Sequence, residues 1–568
     1  MRLPVDLENN EMKRRELTAY AVKHLPIVKE YAKKIGLVEI INNLIPSEMD
    51  IDPGTVFLGL ILDTLSGRTP LYRLDEFFET QDTELLLGKC VSPDKFSDYN
   101  VARVLDKAYA IGSIKLFSAI SRNAAAVSEI EGRHVSFDTT ALHVHGDYAH
   151  YSDKDSKHPF LITFGKSKDH RPDLKQFLIS MLCVDRNVPI FGNTEDGNGS
   201  DKNINNRILS EISERMATHG LEPGAYIYIA DSALVTEKNL DAMGEDILFI
   251  TRLPANYKEC NRVIKKAIEK DEWEDLGVLA VTKASVNRPA ARYKAHESEV
   301  ELYGTTYRAV VIHSSAHDKR RQKRIDRQVN CEYKSLQDTV KKAGKKVFHC
   351  DADARVAAEE LRNVKKNYHT LKVAVEERPK YKVGRPKDGV QKVRQMYYGL
   401  SVEVEKDDEA MATLRKEVGC FVMLTNVPEQ WEEGYDAKAI LKAYKDQHGI
   451  EQNFAFLKDP AIINGIFLKK AERIEILGLV LLLSLLIWRL IERSMRKYVE
   501  ETERDLPGWK KRRTKRPTSF MLVTKFLGVT VIKTSHGRKL NNPLTDQQKE
   551  YLKALKVNPR IFVNPKAG

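Results

Sequence analysis

Paired cysteines are the first thing this chain lacks. Cys90, Cys183, Cys260, Cys331, Cys350 and Cys420 are scattered, with no CxxC among them. That scatter argues against a disulfide framework or a zinc finger and points to free thiols in a reducing cytosol. The opening MRLPVDLENNEMKRREL has no apolar h-region, so no secretory signal is expected. A long hydrophobic run is missing too. The most apolar stretch, Ile476 to Trp488, has thirteen residues between Glu475 and Arg489. A membrane span needs about 20, so a buried core helix and no membrane association are expected. No internal repeat is visible.

What is present suits a soluble globular protein. The chain has 568 residues, of which 42% are hydrophobic and 30% charged. At about 150 residues per domain this suggests three or four units rather than disorder. The 92 Lys and Arg outnumber the 80 Asp and Glu, for a net charge of +12. A basic surface fits a polyanion, either nucleic acid or an anionic membrane face.

Periodicity divides the chain. Residues 1–128 read as helical: AYAVKHLPIVKEYAKKIGLVEIINNLI repeats apolar residues at helical spacing, and Gly54 to Leu65 is apolar on most faces. Pro53, Pro70 and Pro93 punctuate these segments. Strand signals follow. HVSFDTTALHVHG reads as a hairpin turning near Asp138 to Thr140, and QFLISMLCVDRNVPIFG as a strand and turn. A helix over 201–219 capped by Asp201, the strand AYIYIADSA, a helix over 237–243 and the strand DILFITRL complete an α/β domain with a mixed sheet, 129–252. Residues 253–417 read as an insertion. It holds strand-like segments, a charged helical stretch from Asp318 to about Tyr368, and a basic turn at 380–389. Strand signal returns at CFVMLTNVP, followed by one long helix from Ala437 to about Leu457 and a buried helix over 473–497, within a second core part 418–500. A basic C-terminal region, 501–568, carries Lys510, Lys511, Arg512, Arg513 and Arg516.

Three carboxylates stand out. Asp138 and Asp231 each end an apolar strand. A carboxylate there loses solvation unless it binds a cation or accepts hydrogen bonds. Taken singly, each is first a turn starter. The third element is Tyr444-x2-Gln447-x3-Glu451-x6-Lys458. Seven residues return to nearly the same helix face, about 10.5 Å further along. One stripe thus offers a phenol, a carboxylate and an ammonium, although an ordinary solvated face has the same look.

That spacing resembles the Y-x2-R-x3-E-x6-K signature of cut-and-paste insertion-sequence transposases with the DDE triad. It departs at Gln447, where the group has Arg. FDTTALHVHGDY resembles the first-Asp motif of that group and YIYIADSALVT the second, with VDRNVPIFGNTEDGNGSD between them. SGRTPLYRLDEFFE is similar to the N-terminal domain of the branch named after insertion sequence sixteen thirty-four, and TKRPTSFML also looks familial. The resemblance implies a ribonuclease-H-like core, an all-helical N-terminal DNA-binding domain, and a mixed strand/helix insertion before the last catalytic helix. It implies cleavage at transposon ends and strand transfer into target DNA, with Asp138, Asp231 and Glu451 as catalytic and metal residues. Two Mg²⁺ ions, replaceable by Mn²⁺, would bind there. A homodimer pairing two ends, in a cytoplasmic, nucleoid-associated protein, is also implied. Two metal ions about 3.5–4 Å apart serve both the attacking and the leaving oxygen, and Mg²⁺ takes hard oxygen ligands. Tyr444, Gln447 and Lys458 would meet DNA phosphates, as would Arg385 in the short GRPK motif and the cluster at 510–516.

Other residues have blander expectations. His143 and His145 form an HxH that could serve a different metal-dependent nuclease, but no partner cluster is visible. Trp273 and Trp431 could stack on a base, with core packing the default. A chain that holds DNA ends without cutting them is the remaining alternative.

Overall fold

The computed structural model describes residues 17–67, 73–148, 159–167, 169, 171–185, 187–279, 290–364, 366–381, 383, 392–431, 434–460, 462, 466 and 468–567. Within these, the side chains at 201–203, 205, 317–321, 324, 413–416, 448 and 511 are left aside. The GRPK motif with Arg385 lies outside the described residues, as do Pro70 and most of the basic turn at 380–389. The chain forms two compact units, Met1–Thr251 with Lys442–Gly568, and Arg252–Leu441. The class is mixed α/β.

Five strands make the main sheet of the first unit: β1 (His134–His143), β2 (Gln176–Val184), β3 (Val188–Glu195), β4 (Ile227–Ile229) and β5 (Leu248–Arg252). Their order is β3-β2-β1-β4-β5. β1, β2 and β3 pair antiparallel, whereas β1-β4 and β4-β5 are parallel. β2, QFLISMLCV, is buried at every position, as a central strand covered on both faces requires. The expected hairpin at Asp138 to Thr140 is not there. β1 runs straight through, with Thr139 and Thr140 paired to Ser180 and Ile179. The β-branched pair favours extended backbone, and no Gly, Pro or Asn supplies a turn.

Helices α1 (Pro53–Ser66), α2 (Asp98–Ile111) and α3 (Ser113–Ser128) precede the sheet; α4 (Asp201–Ala217) and α5 (Glu237–Met243) flank β4 in sequence. α1 starts where Asp52 accepts the Thr55 amide at 2.8 Å, with Pro53 opening the first turn. The expected single helix 437–457 is two, α6 (Ala437–Asp446) and α7 (His448–Leu457), broken at Gln447. Gly449 sits in the first turn of α7. A Cβ there would lie 1.7 Å from Asn187 Nδ2, on the turn between β2 and β3, so the Asn187 side chain would have to move for any other residue.

The apolar run 476–488 is the middle of α8 (Ala471–Thr502), a 32-residue helix. It is long and apolar enough to cross a membrane, yet 94% of its most apolar window is buried inside the protein. It packs on β3, α1, α2 and α3. The approach to β3 is close, because a Cβ at Gly192 would come within 2.5 Å of Leu482 Cδ1. One hydrophobic cluster therefore joins the N-terminal helices, the sheet and α8, from Val22 to Phe562. α9 (Ser519–Phe526) also packs on α8. The last residues close on the first helices, where Lys29 Nζ donates to the Pro565 carbonyl at 2.7 Å.

In the second unit, strands Glu274–Val278, Arg292–Leu302, Thr305–Ser314 and Cys420–Thr425 form successive antiparallel pairs. The charged stretch divides into helices Ser315–Gly344 and Asp351–Arg362, parted near Gly344. An antiparallel ribbon, His369–Tyr381 with Val393–Lys406, is not apparent from the periodicity. Its far half, from Glu376 to Tyr381, is half-buried or exposed on both faces, so alternation fades there.

Replacing Gly192 with Ala should crowd Leu482 and lower the stability of the first unit by about 1–3 kcal/mol. Urea unfolding of Gly192→Ala against the wild type measures this, and an unchanged midpoint would contradict the packing.

Candidate active site

β1 and β4 set the site. Their register pairs His134 with Ile227, Val135 with Tyr228 and Ser136 with Ile229. Asp138 and Asp231 each lie two residues further along, at equivalent positions and, by the period of two, on one face. Neighbouring strands run roughly 4.7–4.9 Å apart. Asp231 is still extended (φ −73°, ψ 177°) and caps the short helix Ser232–Leu234, accepting the Ala233 amide at 3.0 Å. Thr251 Oγ1 donates to its carbonyl at 2.7 Å. Asp138 lies within β1, not at its end, and accepts the Thr139 amide at 2.7 Å.

Both carboxylates act on one buried group. The Tyr228 phenol is pushed far up, first by burial, then by the charges of Asp231 and Asp138. Hard oxygen donors at adjacent strand positions fit a divalent cation, which would neutralise the like charges. Among the described residues, no three His, Cys, Asp or Glu side chains stand close enough together to hold a metal ion. Asp138, Asp231 and Glu451 do not form a closed cage here.

Glu451 is carried by α7 and is exposed, beside the buried Ile450 and Phe454. α7 packs on β1. Asn453, fully buried, shows which face it meets. Its Nδ2 donates to the Asn187 carbonyl at 2.9 Å and lies 3.3 Å from Cys183 Sγ and 3.7 Å from Met181 Sδ. Cys183 and Met181 are the cross-strand partners of Ser136 and Asp138, and directly opposed residues share a face. α7 therefore covers the face that carries Asp138. The Cys183 thiol is pushed up to about 12, mainly by burial with a contribution from Asp138, against the opposing Asn453 hydrogen bond and Arg489 charge.

Asn453 continues into a buried polar chain. Its Oδ1 accepts Arg489 Nε at 2.6 Å, and Arg489 Nη1 meets Glu492 Oε1 at 2.9 Å. Glu492 also takes Arg496 at 2.5 Å and the Ser519 amide at 3.2 Å. Sequence reasoning missed these residues. The signal available was Arg489 and Glu492 in an apolar helix, since buried charges require partners.

The other expected residues are placed as follows. Tyr444 is half-buried on α6, and Gln447, which parts α6 from α7, keeps right-handed helical dihedrals (φ −54°, ψ −28°). Lys458 caps α7 and pairs with Asp169 at 2.7 Å. Asp169 also stands 3.9 Å from His143 Nδ1, and His143 Nε2 bonds Ser167 Oγ at 3.2 Å. His145 is exposed beyond the strand end. In the basic cluster, Arg513 is tied to Glu550 at 2.6 Å, while Lys510, Arg512 and Arg516 are exposed; the Lys511 side chain lies outside the described set. Trp273 packs by His296, His313 and Lys294, and Trp431 by Tyr435.

A family model described as a domain of unknown function (DUF4277) matches residues 17–122. The matched segment spans the N-terminal helices and stops before Asp138. No curated protein matches the chain.

The Lys458 cluster sets a titration. Burial lowers the His143 pKa, Asp169 raises it and Lys458 lowers it. Asp169→Asn should therefore move His143 further down and Lys458→Met should move it up. Histidine ring-proton NMR titration reads both shifts, and movement in the opposite sense would mean the cluster does not form.

Proposed function

We propose that the chain is a DDE transposase with a ribonuclease-H-like core, cutting DNA at transposon ends and joining them to target DNA. The observation that carries this reading is the register equivalence of Asp138 and Asp231 on neighbouring parallel strands. Around it, the order β3-β2-β1-β4-β5, with three antiparallel strands then two parallel ones, is the order expected of a ribonuclease-H-like core. A helix between β3 and β4, a helix between β4 and β5, and an acidic helix after a large inserted unit agree with it. His143 is engaged with Ser167 and Asp169, which favours a structural role over an HxH metal site.

In this reading Asp138, Asp231 and Glu451 hold Mg²⁺ or Mn²⁺. When bound, the ions supply charge neutralisation at the phosphate and a more acidic attacking hydroxyl. Water attacks phosphorus, one P–O bond forms and one breaks, and a 3′-hydroxyl is left. In strand transfer that 3′-oxygen attacks a target phosphodiester, again exchanging one P–O bond for another. No nucleotide or oxidant is consumed. Lys458 exchanges Asp169 for a phosphate oxygen, and Tyr444 and Gln447 line the approach. Arg385, Lys510, Lys511, Arg512 and Arg516 bind further phosphates. Arg513 is held by Glu550, so its role is first to fix the turn. The protein works as a homodimer on paired ends, in the cytoplasm with the nucleoid.

The test is cleavage of a supercoiled plasmid carrying the DNA that flanks the reading frame on both sides. Mg²⁺ or Mn²⁺ should support nicking, and Asp138→Ala, Asp231→Ala and Glu451→Gln should each drop it to background while duplex binding persists. Glu475→Gln should cut normally, because Glu475 is engaged with Ser113 at the start of α3. Cutting at the wild-type rate by any of the three would remove the triad; binding without cutting by the wild type would leave an end-binding protein.

Binding to a fluorescein-labelled duplex should weaken steeply with salt. Neutralising Arg512, Lys515 and Arg516 together should flatten the log-log slope by up to about 0.9 for each DNA phosphate they neutralise in the wild type. An unchanged slope would mean that this turn is only solvated.

A further inference from the structure

Glu451 is exposed on α7, a ten-residue helix. Two contacts hold that helix, one on each side of Glu451. At Gly449 the backbone lies against the Asn187 side chain, which a Cβ would displace. At Asn453 the side chain is fully buried and uses both ends of its amide. Its donor end bonds the Asn187 carbonyl and faces the sulfurs of Cys183 and Met181. Its acceptor end takes Arg489 on α8. Asn187 is itself held in the left-handed region (φ 79°).

From this geometry we infer that Asn453 is the positioning residue for Glu451, locking α7 to the strand pair that carries Asp138. The inference rests on the proposed function, since it assigns Glu451 to a divalent ion. A leucine would fill the space but leave Arg489 Nε and the Asn187 carbonyl without partners in a buried place. The polar choice aligns α7 in rotation and height, as an apolar contact does not. Partners bonded directly to a metal ligand typically carry about 10–100-fold in metal affinity or activity; Asn453 holds the helix rather than the carboxylate, which sets its effect at the lower end. Ser519 belongs to the same chain of bonds but sits at its far end, bonded to Glu492 and the Trp488 carbonyl rather than to α7.

The experiment measures Mn²⁺ binding to the full-length protein by electron paramagnetic resonance of the free ion, with no DNA present. Thermal unfolding and binding of the labelled duplex are followed in parallel. Asn453→Ala should raise the Mn²⁺ dissociation constant by about 10-fold, with duplex affinity within about 2-fold. Ser519→Ala should lower the melting temperature and leave Mn²⁺ affinity unchanged. If Asn453→Ala does not fold, Asn453→Ser, which retains a donor and acceptor, should show a smaller loss in the same direction. Wild-type Mn²⁺ affinity in folded Asn453→Ala or Asn453→Ser, with Glu451→Gln impaired, would overturn the positioning role and leave the proposed function standing. Equal Mn²⁺ binding by wild type and Glu451→Gln would remove Glu451 as a ligand, and both readings would fall together.

Discussion

The parallel pairing of His134–Ser136 with Ile227–Ile229 is the constraint on which the candidate site depends. It converts a separation along the chain into adjacency across one strand spacing. β1 leaves this pairing and continues against β2, while β4 stops and the chain turns at Asp231. The strand that continues and the strand that ends thus bring two carboxylates to one level by different means. A slip of one residue would send Asp138 or Asp231 to the opposite face, because side chains alternate along a strand.

Against that sheet the molecule sets a helix whose composition conceals charge. α8 is apolar over most of its length, yet Arg489 and Glu492 lie almost fully buried in it. Their partners are specific: Asn453, Arg496 and the Ser519 amide. Removing one member of such a set leaves an uncompensated charge, which typically costs about 3–5 kcal/mol. The network therefore defines a single mutual arrangement of α7, α8 and α9, while the apolar contacts around it supply bulk stabilisation without that selectivity.

Much of this is legible in the sequence because it depends on local pattern. Asp138, Asp231 and Glu451 stand out from their strand-like and helical contexts, and the length of the apolar run 476–488 marks it as core. The α/β class follows from alternating strand and helix signals. The turn expected at Asp138 fails because Asp followed by Thr reads as a turn former, although neither Thr139 nor Thr140 leaves extended backbone. The single helix over 437–457 is two, parted at Gln447, a position where the sequence carries neither Gly nor Pro to mark a boundary. Asn453 escapes notice for the same reason. A lone Asn within a helix signals nothing until the sulfurs, carbonyl and guanidinium around it are known.

The position of α8 has a consequence for synthesis of the protein. β3 and the N-terminal helices pack on a helix encoded hundreds of residues later, and the Pro565 carbonyl reaches back to Lys29. At about 5–20 residues per second on the ribosome, these early elements wait on the order of tens of seconds for their covering surface. During that interval α1 and β3 present bare apolar faces. Contacts so distant in sequence also slow the final collapse, since loop closure precedes any gain from burial. Until α8 is made, the chain exposes these faces, and a product truncated before Ala471 would lack the core that supports its own carboxylates.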